Sequence, residues 1–219
     1  RDAEASTGDF LTLVLSGIGR ESDIGVVQGV LRQLKSAIDQ FAAPEHRTDY
    51  LVRLADALHG HAMAAAPGSD HQLAYARAFV GAATTDAQLD VVSGLLDGSL
   101  AWDGLAVDTD LRWFLLQRLV VKGRLDLDAI EHELDSDDTA TGRRQAALAR
   151  AARPSAEAKE LAWADVVDRT DLPNAIQEAT IAGFVQPDQL DELVPFRERY
   201  FADLPRVWEQ RTMEMAQGI

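Results

Sequence analysis

Asp23-Ile24-Gly25-Val26-Val27-Gln28-Gly29-Val30-Leu31-Arg32-Gln33-Leu34-Lys35-Ser36-Ala37-Ile38-Asp39-Gln40-Phe41 is the stretch that decides the fold. Ile24, Val27, Leu31, Leu34, Ile38 and Phe41 recur at intervals of three and four, which puts all six side chains on one face of an α-helix. Ser22 stands ahead of the run as its expected N-cap. Upstream, Phe10, Leu11, Val14, Leu15 and Ile18 make a second helical stripe. Downstream, Pro44 suits a first helical turn leading into Tyr50, Leu51, Leu54 and Leu58.

The same grammar continues to the end of the chain. Pro67-Gly68-Ser69-Asp70 is a break followed by a cap, then Leu73, Ala76, Phe79 and Val80. Asp86 opens a helix that closes at Gly98, and residues 98–108 form the stretch of weakest periodicity. Thr109 is the expected cap of Leu111, Phe114, Leu115 and Leu119, with Gly123 as the stop. Asp126 opens a short helix through Ile130, and Asp138 or Thr139 caps the next. Pro154 starts a segment with Leu161, Trp163 and Val166, and Pro173, Pro187 and Pro205 each read as the first turn of a further helix. No strand-like alternation survives; Leu119-Val120-Val121 is too short and sits in a helical frame.

With 35 Ala and 27 Leu, the two best helix formers dominate, so propensity agrees with periodicity. The expected fold is all-α, an irregular HEAT-like α-superhelix of about twelve short antiparallel helices in one domain over residues 1–219. Pairs show no self-similarity, which argues against consensus helical-repeat arrays; a compact, non-repetitive helical domain is the competing architecture. The chain opens on Arg1 and stops at Ile219 just after an amphipathic stretch, which reads as an excised fragment.

Charge and composition exclude several functions. A formal charge of −15 repels phosphate backbones, so sequence-independent nucleic-acid binding is not expected. No apolar run is long enough to cross a bilayer, and no signal peptide opens the chain. Without cysteine there is no disulfide, thiol nucleophile or zinc thiolate, and a cytoplasmic location fits.

A catalytic or metal centre is not found. His132-Glu133-Leu134-Asp135 lacks the second histidine four residues on, because position 136 is Ser136. His59 and His61 are about 200° apart on a helix and read as solvated or capping groups, and His71 as a surface residue. Ser155 and Lys159 are four apart, but a proline-started, exposed turn gives no reason for a depressed lysine pKa. Glu131, Glu133, Asp135, Asp137 and Asp138 read as a solvated acidic rim without a calcium loop. No phosphate loop or nucleophile elbow is present.

The arginines are the remaining candidates. Arg112 and Arg118 lie in the most hydrophobic helix, and Arg143 and Arg150 near one side of another. These four could face a peptide and receive a carboxylate through their planar forks. Intramolecular pairing with Asp108, Asp110 or the acids at 135–138 ranks ahead of that, since surface ion pairs are common and worth under about 1 kcal/mol.

One set of motifs adds a resemblance. Asp110-Leu111-Arg112-Trp113, Thr139-Ala140-Thr141-Gly142-Arg143-Arg144 and Ala149-Arg150-Ala151-Ala152-Arg153-Pro154 form its first part. Glu157-Ala158-Lys159-Glu160-Leu161-Ala162-Trp163, Gly183-Phe184-Val185-Gln186-Pro187 and Tyr200-Phe201 with Trp208 form the second. In this order they resemble the C-terminal domain of actinobacterial aminopeptidase N, a gluzincin zinc aminopeptidase, and Asp23 to Gln28 and Pro67 to Asp70 fit the same domain. The resemblance implies an α-superhelical domain, related to that of endoplasmic-reticulum aminopeptidases, that closes over a catalytic domain of the same polypeptide and helps enclose the peptide substrate. It implies zinc in that catalytic domain and no catalytic residue or cofactor here, because neither His-Glu-x-x-His nor Gly-x-Met-Glu-Asn occurs. The alternative function is a free-standing helical-repeat scaffold that binds a protein partner.

Overall fold

Short polar side chains set where the helices begin, as each satisfies backbone N–H groups that the first turn leaves open. Ser6 and Asp9 form a reciprocal capping box on α1 (Thr7–Gly17). Asp23 Oδ1 accepts from the N–H groups of Gly25 and Val26 and opens α2 (Ile24–Phe41), so Asp23 takes the capping place expected of Ser22. Pro44 is the first residue of α3 (Pro44–Ala64), Ser69 caps α4 (Asp70–Ala82), and Thr85 with Gln88 forms a second capping box on α5 (Asp86–Asp97). Asp108, not Thr109, caps α6 (Thr109–Val121): its Oδ1 accepts from Leu111 N–H at 2.8 Å.

Asp126 caps α7 (Leu127–Ser136), Thr139 caps α8 (Ala140–Ala151) and Ser155 caps α9 (Ala156–Trp163). Then come α10 (Asn174–Phe184), α11 (Phe196–Gln210) and α12 (Met213–Gly218). The structure is a computed structural model that describes residues 5–219; Arg1, which opens the chain, lies outside the described residues. Among the described residues the fold is all-α: twelve α-helices, 3-10 turns at Ile18–Arg20 and Pro187–Leu193, a π turn at Ala164–Asp168, and no strand. Pro205 does not start a helix; it sits inside α11, whose ladder lacks one N–H donor there.

The chain forms two compact units, the first ending at Arg118 and the second running Leu119–Ile219. In the first, α3 packs most extensively on α4. Val27, Leu31, Leu34 and Ile38 of α2 are buried as the stripe requires, whereas Phe41 is 77% exposed. Phe41 ends the helix at the margin of the stripe, and the next residue, Ala42, takes the buried place. The connection over residues 98–108 is irregular but anchored. Trp102 is buried against His59 and Phe79, and Gly104 holds φ 75° in close approach to Pro67 and Gly68. Gln72, buried, ties the two strips together: its Nε2 donates to Asp103 O and its Oε1 accepts from Gly68 N–H, both at 2.8 Å.

Helix α6 buries Leu111, Trp113, Leu115, Leu116, Leu119, Val120 and Val121, a pattern too wide for one stripe and fitted to a core helix. Leu115 is 0% exposed. Leu115→Ala should therefore cost about 2–5 kcal/mol in chemical denaturation, and a loss below about 0.5 kcal/mol would place α6 at the periphery.

In the second unit the closest packing is between α8 and α10 rather than between consecutive helices. Gly183 of α10 sits on Leu148 and Ala151 of α8, and the missing side chain lets the two backbones meet. Trp163, Val166, Val167, Phe196, Val207 and Ala216 form the core beside them. Leu161, expected in that stripe, is 55% exposed, and Lys159 occupies the buried face of α9 instead.

Candidate functional site

The four arginines singled out by sequence divide between the two units. Arg112 and Arg118 project from α6 in the first. Arg112 Nη1 donates to Leu96 O at 3.0 Å, in the last turn of α5. Arg118 donates through Nε and Nη2 to Ala83 O, at 2.9 and 2.6 Å, just past the end of α4. Both guanidinium groups thus meet carbonyls that a helix C-terminus leaves open, where the macrodipole favours a cation.

Arg143 and Arg150 project from α8 in the second unit. Arg143 donates to Asp138 Oδ1 through Nε at 3.0 Å and Nη2 at 2.6 Å. Arg150 forms a two-pronged pair with Glu131, Nε to Oε1 and Nη2 to Oε2, each 2.7 Å. The hydrogen bond from Arg150 holds the Glu131 carboxyl below its usual range, against a smaller opposing push from burial. These side chains are about 40% exposed, so the pair is solvent-screened. A double-mutant cycle on Arg150 and Glu131 should return a coupling under about 1 kcal/mol that shrinks in high salt. A coupling several times larger, insensitive to salt, would contradict the exposed geometry.

The histidines do not converge on a metal. His59 stacks beside Phe79 and Trp102, and His61 faces Tyr75, in keeping with their separation around α3. Both pack against rings rather than standing in solvent. His71 is half-buried, with Nε2 3.2 Å from Glu21 O, and is not a surface residue. Among the described residues no three His, Asp or Glu side chains gather closely enough to hold a metal ion. Glu133, read as part of an acidic rim, is buried beside Ile130 on the inner face of α7.

Lys159 overturns its sequence-based description. It is 0% exposed, and its Nζ donates to Ala151 O at 2.8 Å, Phe184 O at 3.0 Å and Gly183 O at 3.4 Å. Burial pulls its pKa down to about 8, and Glu192 opposes that pull. All three donors are spent on the C-terminal ends of α8 and α10. Ser155 Oγ is meanwhile occupied as the cap of α9, accepting from Ala158 N–H. A Ser-Lys nucleophile is therefore not assembled.

A concave feature of the first unit lies elsewhere, between α2, α3, α4 and the Phe114 turn of α6. It is a groove of about 490 Å³ with Leu31, Leu54, Leu58 and Ala74 in its floor. Arg32 and Lys35 stand on the α2 bank and Arg77 on the α4 bank. No Asp or Glu lines it, in a chain with 36 acids against 21 Lys and Arg. Lys35 pairs with Asp39, and Arg77 pairs with Asp110 and covers the Phe114 ring at 5.4 Å. Arg32 is exposed and has no ion-pair or hydrogen-bond partner among the described residues. Sequence reasoning missed this rim. Its signal was the i, i+3 spacing of Arg32 and Lys35 beside the apolar stripe of α2, but Arg77 joins them only through the packing of α4.

Residues 1–219 match the family described as the ERAP1-like C-terminal domain. The chain is 56% identical over all 219 residues to a protein named aminopeptidase N from Streptomyces lividans, and spans 26% of that relative's length.

Proposed function

This chain belongs to the ERAP1-like C-terminal domain family, and from that premise we propose that it is the non-catalytic C-terminal domain of a zinc aminopeptidase. In this role both units act as one domain that closes over the catalytic domain of the same polypeptide and helps enclose a peptide while its N-terminal residue is released. The observation that carries the proposal is the 56% identity to aminopeptidase N over every residue of the chain. Zinc, where the parent enzyme holds it, would polarise the scissile carbonyl and activate water; this chain would bind and orient the rest of the peptide.

Among the described residues no helix is long and apolar enough to cross a membrane. A cytoplasmic setting belongs to the same proposal, as does a peptide-facing role for arginines. Of the four first considered, Arg143 and Arg150 already hold carboxylates, and Arg112 and Arg118 already cap helices. Arg32 on the groove of the first unit, exposed and without a partner among the described residues, is better placed to meet a substrate.

The test uses the chain by itself. After dialysis against a mild chelator it should carry substoichiometric zinc and release nothing from an aminoacyl amide. One bound zinc per chain, or turnover that survives repurification, would overturn the proposal.

A further inference from the structure

We propose that the groove between α2 and α4 binds an acidic stretch of peptide, seating an aliphatic side chain in its floor and carboxylate side chains on both banks. The inference rests on the peptide-enclosing role proposed above and names the class of peptide selected there.

Three observations carry it. The floor is apolar, built from Leu31, Leu54, Leu58 and Ala74, so it rewards burial of a branched aliphatic group. The lining holds three cations and no Asp or Glu among the described residues, and Asp39 and Asp110 pair with two of those cations from just outside it, which leaves the charge of Arg32 unshared. That unshared positive charge attracts an anionic ligand to a protein whose overall field repels it. Arg32 further offers a fork of donors without a partner among the described residues, suited to a two-pronged carboxylate contact.

The placement of the cations selects the ligand. Arg32 and Lys35 are one turn apart on α2, whereas Arg77 stands across the floor on α4. A lone carboxylate at a peptide terminus would meet one bank. A peptide with Glu or Asp on either side of a Leu or Val presents negative charge to both. Lys35 and Arg77 retain Asp39 and Asp110 as neighbours, so their contribution is a shared charge and Arg32 supplies the one unshared fork. The groove therefore favours acidic, aliphatic-containing segments of the substrate.

The test is a titration of the 219-residue chain with an N-acetylated, C-amidated octapeptide of alternating Glu and Leu, against its Gln-Leu counterpart. The Glu peptide should bind at least tenfold more tightly, and the difference should fall as salt rises. Arg32→Glu should abolish the preference; because Arg32 is exposed and has no partner among the described residues, this variant should keep the parent's helical circular-dichroism spectrum and melting curve. Arg20→Glu, an exposed position that does not line the groove, serves as a second charge reversal and should leave the preference intact. Equal binding of the two octapeptides, or a preference that persists in Arg32→Glu, would overturn the proposal. Binding that appears only when the C-terminal carboxylate is left free would overturn it too, in favour of terminus capture. None of these outcomes bears on zinc content or aminoacyl-amide turnover, so the reading of the chain as a non-catalytic domain stands or falls separately.

Discussion

Gly183→Val should destabilise the chain by about 3 kcal/mol or more, a larger loss than typical overpacking causes. The reason is what an added side chain would strike. A Cβ at this position falls onto the carbonyl oxygen of Leu148 and within 2.9 Å of Ala151 Cβ, so backbone and not a flexible tip must give way. Moving α10 away from α8 would separate the most closely packed helices of the second unit. It would also draw the Gly183 and Phe184 carbonyls from Lys159, leaving a buried ammonium short of acceptors. Gly60 is the contrasting control. It lies within α3 with open space around its Cβ position, so Gly60→Ala should be neutral or stabilise by up to about 1 kcal/mol. Equal effects of the two substitutions in urea titrations would show that the close crossing of α8 and α10 does not exist.

Raising the pH from about 8 to 10.5 should increase the contribution of Lys159 to stability by about 3 kcal/mol. In the folded chain burial lowers the lysine pKa to about 8, while the unfolded chain keeps the ordinary 10.5. Between those values the unfolded state binds more protons, so unfolding becomes harder as pH rises. Below about pH 8 both states are protonated and the full cost of burying the charge is felt. Lys159→Met keeps a chain of similar length and removes the titration, so its stability should lack this rise. The carbonyls of Ala151, Gly183 and Phe184 would lose their donor, which makes the variant less stable than the parent near pH 9. A parent and a Lys159→Met variant with parallel stability profiles over this range would contradict a buried, titrating lysine.

These two residues also show where sequence legibility ends. Apolar spacing of three and four on α2 was enough to place Val27, Leu31, Leu34 and Ile38 in the core, because a helix converts spacing into a shared face. Caps were legible to within a residue: Asp23 stands beside Ser22, and Asp108 beside Thr109, since adjacent polar residues can compete for the same N–H groups. The cations were not legible. Arg112, Arg118 and Lys159 each serve the C-terminal carbonyls of other helices, and only tertiary packing supplies those partners. For the same reason Lys159 looked exposed beside Pro154, and the Arg32, Lys35 and Arg77 rim went unseen until α4 was laid against α2.

The absence of catalytic spacing among the histidines was legible from the start, because metal ligation demands residue types at definite intervals and Ser136 occupies the decisive one. A positive role could not be derived that way. Enclosing a peptide needs shape and charge on a surface, and neither has a fixed spacing in sequence.

The most direct measurement is the ratio of octapeptide cleavage to aminoacyl-amide cleavage by the parent polypeptide, with and without these 219 residues. Zinc content of the shortened protein would report whether its catalytic part remains assembled. If the chain encloses the peptide, its removal should lower octapeptide turnover at least tenfold more than amide turnover, and adding the separate chain should recover part of the difference. An unchanged ratio in a zinc-loaded, shortened enzyme would contradict a peptide-enclosing role.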